Sequence, residues 1–123
     1  MDIRKFSRLT SSLFGASGVV GGAFGAHALA HSWPEKANLL RTAVQYQLLH
    51  AVALLALSTM ASSPVSKPIR VAVYCMSVGT FLFSMSLALM ATLDWRWLGP
   101  VTPIGGSLLI IGWVSLAFHR SAT

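Results

Sequence analysis

Three polar residues share one face of a hydrophobic stretch in the middle of the chain. Tyr46, Gln47 and His50 fall on one arc when each residue turns a helix by about 100°, and Gln45 lies to the side of that arc. Polar side chains within a membrane are costly and usually face the bundle interior or water. We therefore expect Tyr46, Gln47 and His50, the polar stripe, to point inward. The stripe is either a hydrogen-bond network that sets helix register or a pocket for a small molecule or a proton.

The polar stripe needs hydrogen-bonding partners on a neighbouring helix. Hydroxyl side chains that recur along the third hydrophobic stretch, Thr80, Ser84 and Ser86, are the expected partners. Because a buried polar atom without a partner is costly, these hydroxyls are the candidates to bond with the stripe.

His27 and His50 suggest a haem or metal site. Such a site needs imidazole nitrogens that converge at about 2 Å from one atom. His27 and His31 are spaced i, i+4, but only Glu35 is near them in sequence as a further ligand. We predict no metal and no cofactor, and we retain His27 as a candidate for a ligand contact or a polar network.

Glycines follow one face of the first hydrophobic stretch and recur in the last one. The candidates for helix packing are Gly15, Gly18, Gly22, Gly25, Gly105 and Gly106. Small residues let helix backbones approach closely in lipid, which is where helix association gains dispersion energy. We expect these glycines to pack helices within the chain. A homodimer face and a slot for the flat ring of a ligand are the alternatives.

Four stretches without Asp, Glu, Lys or Arg must position these residues. They cover residues 9–30, 42–60, 71–93 and 97–118 of 123, and a membrane-spanning helix needs about 20 apolar residues. Only 10% of the residues are charged and 54% are hydrophobic, whereas soluble domains have about 25% charged residues. We predict an all-α integral membrane four-helix bundle that forms one transmembrane domain over residues 1–123.

The basic residues mark topology rather than a nucleic-acid surface. Nine Lys and Arg residues against three acidic ones give a formal net charge of +6, but the basic residues are scattered and form no stripe that follows phosphates. The two termini and the second connector carry more of them than the other connectors do. By the positive-inside rule, both termini should face the cytoplasm, or the matrix if the membrane is mitochondrial.

Several short motifs occur in a family-like order along nearly the whole chain. They are GAFGAHAL at 22–29, TAVQYQ at 42–47 with His50-Ala51, GTFLFS at 79–84, WLG at 97–99, TPIGG at 102–106 and Gly112-Trp113. This succession resembles a family of small four-helix inner-membrane proteins of unknown function, the YgdD/YwdK-like family, which has mitochondrial relatives. One departure is Met85-Ser86, where a glycine often follows Ser84 in that family. The resemblance implies a multi-pass protein of a bacterial or mitochondrial inner membrane.

No catalytic arrangement is evident, because Asp2, Glu35 and Asp94 lie in the terminus and the connectors. We predict that the protein is not an enzyme. Besides the lipid bilayer, the expected partner is a larger membrane assembly, such as a respiratory complex, or further copies of the chain. The leading hypothesis is therefore a structural or accessory component. A protein that binds a lipid or quinone at the polar stripe is the first alternative, and a small oligomeric transporter is the second.

Overall fold

The computed structural model describes residues 1–29 and 31–120. Within these ranges the chain is helical and has no strand. In chain order the elements are α1 (Ile3–Phe24), which continues as a π-helical turn (Gly25–Leu29), α2 (Pro34–Met60), α3 (Lys67–Leu93), a 3-10 turn (Arg96–Leu98) and α4 (Val101–Leu116). Four helical segments are long and apolar enough to cross a membrane. The predicted all-α membrane fold is confirmed.

The first three helices begin earlier than their charge-free stretches. α1 begins at Ile3 rather than at residue 9, α2 at Pro34 rather than at 42, and α3 at Lys67 rather than at 71. The added first turns carry basic residues, whose long side chains reach the lipid–water boundary from a helix end. A charge-free stretch therefore marks the part of a helix that lies within lipid, and it underestimates the full length of the helix.

The other bounds differ for local reasons. The stretch predicted over 9–30 is α-helical only to Phe24, and Ala30 lies outside the described residues. α4 begins at Val101 rather than at 97, because Pro100 provides its N-cap after a separate 3-10 turn. It ends at Leu116 rather than at 118.

The helices pack in chain order, with α2 and α3 at the centre. α1 packs on α2, α2 on α3, and α3 on α4. The largest apolar cluster comprises Ile3, Leu54, Leu57, Ala61, Ile69, Ala72, Val73, Met76 and Leu109. It therefore lies in the half of the bundle that holds the start of α1 and the α2–α3 connector. His119 bonds to Ser66 of that connector at 3.0 Å, so both described ends of the chain lie at this end of the bundle. Which side of the membrane this end faces stays a prediction.

Small residues of α1 form its contact with α2. The hydroxyls of Ser7 and Ser11 donate to the carbonyl oxygens of Leu54 and Ala51, at 2.6 and 2.7 Å. Further along, a Cβ added at Gly18 would lie 2.8 Å from Leu48 Cδ2. Cβ atoms added at Gly21 and Gly25 would lie 3.2 and 3.0 Å from α2 side chains, which is tight, whereas those at Gly15 and Gly22 would make ordinary contacts at 3.9 and 3.4 Å. The close approach of α1 to α2 therefore uses the glycine face within the chain.

α3 and α4 approach even more closely. A Cβ added at Gly105 would lie 2.5 Å from the backbone nitrogen of Phe83 and 2.8 Å from the carbonyl oxygen of Gly79. One added at Gly112 would lie 2.8 Å from Met76 Cγ. Gly106 differs, because its nearest neighbour would be the Phe83 ring at an ordinary 3.7 Å. Gly105 thus lies within the helix contact, and Gly106 faces a space beside it.

Candidate functional site

His50 joins α2 to α4 near the middle of the bundle. Its side chain is 2% exposed. The indole Nε1 of Trp113 donates to His50 Nε2 at 2.9 Å, and His50 Nδ1 lies 2.7 Å from the carbonyl oxygen of Tyr46, one turn earlier. Both ring nitrogens of the imidazole therefore have a partner.

The chemistry of these partners assigns the protons of His50. An indole N–H only donates, so Nε2 must be the acceptor. A carbonyl oxygen only accepts, so Nδ1 must carry the hydrogen. His50 is consequently the neutral Nδ1–H tautomer. It has no free lone pair for a metal or a transferred proton unless the bond to Trp113 breaks.

A groove lies beside this histidine, between α2 and α4. Its volume is about 490 Å³, and it is lined by Tyr46, Leu49, His50, Phe83, Pro103, Gly106, Ser107, Leu109, Ile110 and Trp113. The rim residues Leu49 and Ile110 are 58% and 64% exposed. Because these apolar side chains belong to the spanning segments, the groove opens sideways to the lipid. Phe83 of α3 forms part of its lining.

Aromatic rings dominate the groove, and few of its donors are free. The rings of Tyr46 and Phe83 lie 4.4 Å apart between centroids, and those of His50 and Trp113 lie 5.8 Å apart. Ser107 Oγ donates to Pro103 O at 2.8 Å. The N–H groups of His50 and Trp113 are also taken. Tyr46 is 41% exposed, and its hydroxyl has no hydrogen-bond partner among residues 1–29 and 31–120, so it is the lining hydroxyl offered to a ligand.

The structure separates the other polar candidates from this groove. Gln47 points towards α1, where its Nε2 donates to Phe14 O at 3.0 Å and to Ser17 Oγ at 2.5 Å. Gln45 is exposed and lines a separate small cavity of about 120 Å³ beside the glycines of α1. Only Tyr46 and His50 of the predicted stripe therefore meet at one place.

The predicted partners on α3 do not bond to the stripe. Ser84 donates to Ala43 O at 2.8 Å, and Ser86 Oγ lies 2.6 Å from Thr102 Oγ1 of α4. Thr80 Oγ1 is buried without a hydrogen-bond partner in the described residues. That expectation was wrong because α3 crosses α2 and α4 in a register that pairs Ser84 and Ser86 with other groups and places Thr80 away from the stripe's polar atoms.

Trp113 is the functional candidate that sequence reasoning missed. The signal was present, because a tryptophan inside a charge-free stretch carries an N–H that needs a partner when it is buried. Its bond to His50 spans 63 positions, so the pairing depends on how α2 and α4 cross.

His27 lies far from His50. It is exposed in the π-helical turn, and a Cβ on the nearby Gly25 would lie 3.0 Å from Leu40 Cδ2. Leu40 precedes His50 by ten residues, which is about 15 Å along a helix. The two imidazoles therefore do not converge. Among residues 1–29 and 31–120, no three His, Cys, Asp or Glu side chains form a group that could hold a metal ion.

Comparison with known proteins places the chain among membrane proteins of unknown function. Residues 21–106 match the family described as "Protein of unknown function (DUF423)". A UPF0382 membrane protein of Haemophilus influenzae is 39% identical over 98 residues, covering 79% of this chain and 78% of the relative. YwdK of Bacillus subtilis is 36% identical, with 77% and 79% covered.

A more distant relative is called an inner membrane protein. YgdD of Escherichia coli is 31% identical over 110 residues, covering 89% of this chain and 84% of the relative. No solved structure matches the chain. The resemblance to YgdD and YwdK is confirmed, and the four spanning helices agree with these names. The chain belongs to the DUF423/UPF0382 family of multi-pass membrane proteins.

Proposed function

We propose that this protein is a non-catalytic membrane protein that binds a membrane-soluble molecule, a lipid or a quinone, in the groove between α2 and α4. The observation that carries the proposal is the groove itself, at about 490 Å³. Ligand pockets are commonly about 300–1,000 Å³ and are mostly apolar with a few polar groups. This geometry gives ligand binding more support than the accessory role that the sequence favoured.

The lining indicates which ligand chemistry fits. The rings of Tyr46, Phe83 and Trp113 offer aromatic surfaces to a flat ring, and aromatic pairs contribute about 0.5–1.5 kcal/mol beyond their buried area. The Tyr46 hydroxyl can donate to a carbonyl oxygen of the ligand. A quinone headgroup with an apolar tail combines both features, and the sideways opening provides a route from the bilayer.

His50 contributes by holding the groove rather than by reacting. Its bond to Trp113 ties α2 to α4 along one wall, and its two nitrogens are both engaged. A proton-linked transporter that used the polar stripe as a pathway would need a lone pair free to take a proton. The geometry therefore favours binding over transport.

Filling the groove tests the proposal. Gly106→Leu adds a side chain where a Cβ has ordinary clearance from Phe83, so we expect the bundle to fold with the groove occupied. Ala16→Leu, on the exposed face of α1, is the matched control because it adds the same side chain at a distant lipid-facing position.

Quinone quenching of tryptophan fluorescence provides the measurement. Replacing Trp33, Trp95 and Trp97 by Phe leaves Trp113 as the only tryptophan, since the chain has four. A short-chain ubiquinone in detergent should quench the fluorescence of Trp113, and the quenching should reach saturation. Gly106→Leu should weaken the apparent affinity for the quinone by about tenfold or more, which corresponds to about 1.4 kcal/mol. Mass spectrometry of organic extracts should show one co-purified lipid or quinone depleted in the same variant. Equal quenching and equal extracts for Gly106→Leu and Ala16→Leu would refute the proposal.

An accessory role in a larger membrane assembly is the second candidate, and the outer face of α1 supports it. Ser12, Ala16 and Ala23 are exposed and share one stripe of the helix with the larger Val19, which is also exposed. Small residues at such spacing allow another helix to pack closely in lipid. This face is distinct from the glycine face, which α2 already covers.

Native electrophoresis of gently solubilised membranes tests the second candidate. The wild-type chain should migrate in a larger species, and Ala16→Leu should shift it towards the free form, while Gly106→Leu should leave it in the larger species. A wild-type chain that always migrates alone would exclude the accessory role.

A further inference from the structure

A second and larger groove lies at the end of the bundle opposite the termini. It forms where the α1–α2 connector and the start of α2 meet the end of α3 and the turn before α4, and its volume is about 870 Å³. The lining residues that define its chemistry are Trp33, Glu35, Lys36, Leu39, Met90, Asp94 and Arg96. Because it joins the ends of spanning helices, this groove lies at a membrane surface.

The groove collects charges of both signs. Glu35 and Asp94 are two of only three acidic residues in a chain of net charge +6. Lys36 and Arg96 line the same space, so the local charge is balanced although the protein as a whole is strongly basic. Such a balance suits a ligand that carries both signs and does not favour a purely anionic one.

Contacts within the protein position the charged groups of this groove but leave part of their hydrogen-bonding capacity unused. Lys36 Nζ lies 4.9 Å from the centre of the Trp33 ring, a contact that fixes an ammonium without using its hydrogen-bond donors. Arg96 Nε lies 3.4 Å from Asp94 Oδ1, and the two side chains are 86% and 57% exposed. A carboxylate has about four acceptor sites, so Asp94 keeps capacity for a further donor.

Asp94 follows α3 as its C-cap in a conformation that few residues other than glycine, asparagine and aspartate adopt. It ends α3 with φ 58, the left-handed conformation, which glycine adopts most easily. An aspartate tolerates this conformation and supplies a carboxylate at the groove. The apolar Leu39 and Met90 lie beside these charges and offer a surface to an acyl chain.

We propose that this groove binds a zwitterionic phospholipid with a primary ammonium headgroup, phosphatidylethanolamine. Lys36 and Arg96 bind the phosphate, Glu35 and Asp94 accept hydrogen bonds from the ammonium, and Leu39 and Met90 contact the first part of an acyl chain. Phosphatidylglycerol has no ammonium for the carboxylates. Phosphatidylcholine has a cation without N–H donors. This site is independent of the groove between α2 and α4.

Native mass spectrometry of the delipidated full chain tests the site. The protein is titrated in detergent with phosphatidylethanolamine, phosphatidylglycerol or phosphatidylcholine of identical acyl chains. We expect phosphatidylethanolamine to be retained about tenfold better than either of the other lipids. The double variant Glu35→Gln/Asp94→Asn should remove this preference, and Lys36→Gln should weaken retention of all three lipids.

Asp2→Asn is the matched control because it removes the third carboxylate, at the opposite end of the bundle. It should retain the wild-type preference, and circular dichroism should show unchanged helix content in every variant. Soluble phosphoethanolamine at the same concentration should not compete, because it lacks the acyl chain that contacts Leu39 and Met90. Equal retention of the three lipids by the wild-type chain, or an unchanged preference in Glu35→Gln/Asp94→Asn, would overturn the proposal.

Discussion

The close contact between α3 and α4 at Gly105 predicts a loss of stability for Gly105→Ala. The added Cβ would lie 2.5 Å from the Phe83 nitrogen, 2.8 Å from the Gly79 oxygen and 2.9 Å from the Phe83 Cα. All three neighbours are backbone atoms, so no side-chain rotation relieves the overlap. Since ordinary contact begins at 3.4 Å, α4 must move away from α3 by about 0.9 Å at this point.

The cost follows from that displacement. A gap of about 0.5–1 Å forfeits roughly a quarter to a half of the dispersion energy of each affected contact, and overpacking a well-packed site costs about 1–3 kcal/mol. Replacing glycine by alanine within a helix also stabilises the helix by about 1 kcal/mol, because alanine has the higher helix propensity. Gly106→Ala has this gain without the overlap, because its Cβ would lie 3.7 Å from the Phe83 ring. We therefore expect Gly105→Ala to be about 1–3 kcal/mol less stable than Gly106→Ala.

Unfolding in mixed micelles measures this difference. As the mole fraction of sodium dodecyl sulfate increases, circular dichroism should show Gly105→Ala unfolding before Gly106→Ala. The wild-type chain should unfold between the two variants or together with one of them. Both variants gain the same helix propensity, so the difference between them reports the overlap at Gly105 alone. If Gly105→Ala resists the detergent as well as Gly106→Ala, the close approach of α3 and α4 is not as described.

The bond between His50 and Trp113 supports the remaining predictions. Trp113→Phe keeps a ring in the groove but leaves His50 Nε2 without its donor. We expect a loss of about 0.6 kcal/mol, the average for hydrogen bonds between membrane helices, and at most about 1.7 kcal/mol. Trp97→Phe, at a residue that is 70% exposed, should cost nothing measurable in the same detergent titration. Nitrogen-15 NMR of labelled histidine should find the hydrogen of His50 on Nδ1 in the wild-type chain, and a hydrogen on Nε2 instead would contradict the assigned tautomer.

Local sequence determined the class of this protein. Charge-free stretches of about membrane length force helices, because a backbone in lipid must satisfy its own hydrogen bonds. That reasoning needs no knowledge of neighbours, and it predicted four spanning helices. It placed the starts of α1, α2 and α3 too late, because the first turns of these helices carry basic residues that lie at the membrane boundary and are still helical.

The small residues show where sequence reasoning was partly sufficient. Spacing along α1 indicated a face for close packing, and in the structure Gly18 and Gly25 lie against α2. The same reasoning treated Gly105 and Gly106 alike. The structure separates them, because the rotation of α4 about its axis turns Gly105 into α3 and Gly106 towards the groove.

Only the tertiary structure decided which polar groups meet. Composition and periodicity identified Tyr46 and His50 as costly residues at membrane depth, but periodicity describes one helix at a time. Trp113 reaches His50 across 63 positions, and Gln47 turns to α1 instead. Pairings of this kind depend on the crossing of separate helices, whose relative depth and rotation arise from the packing of all four helices together.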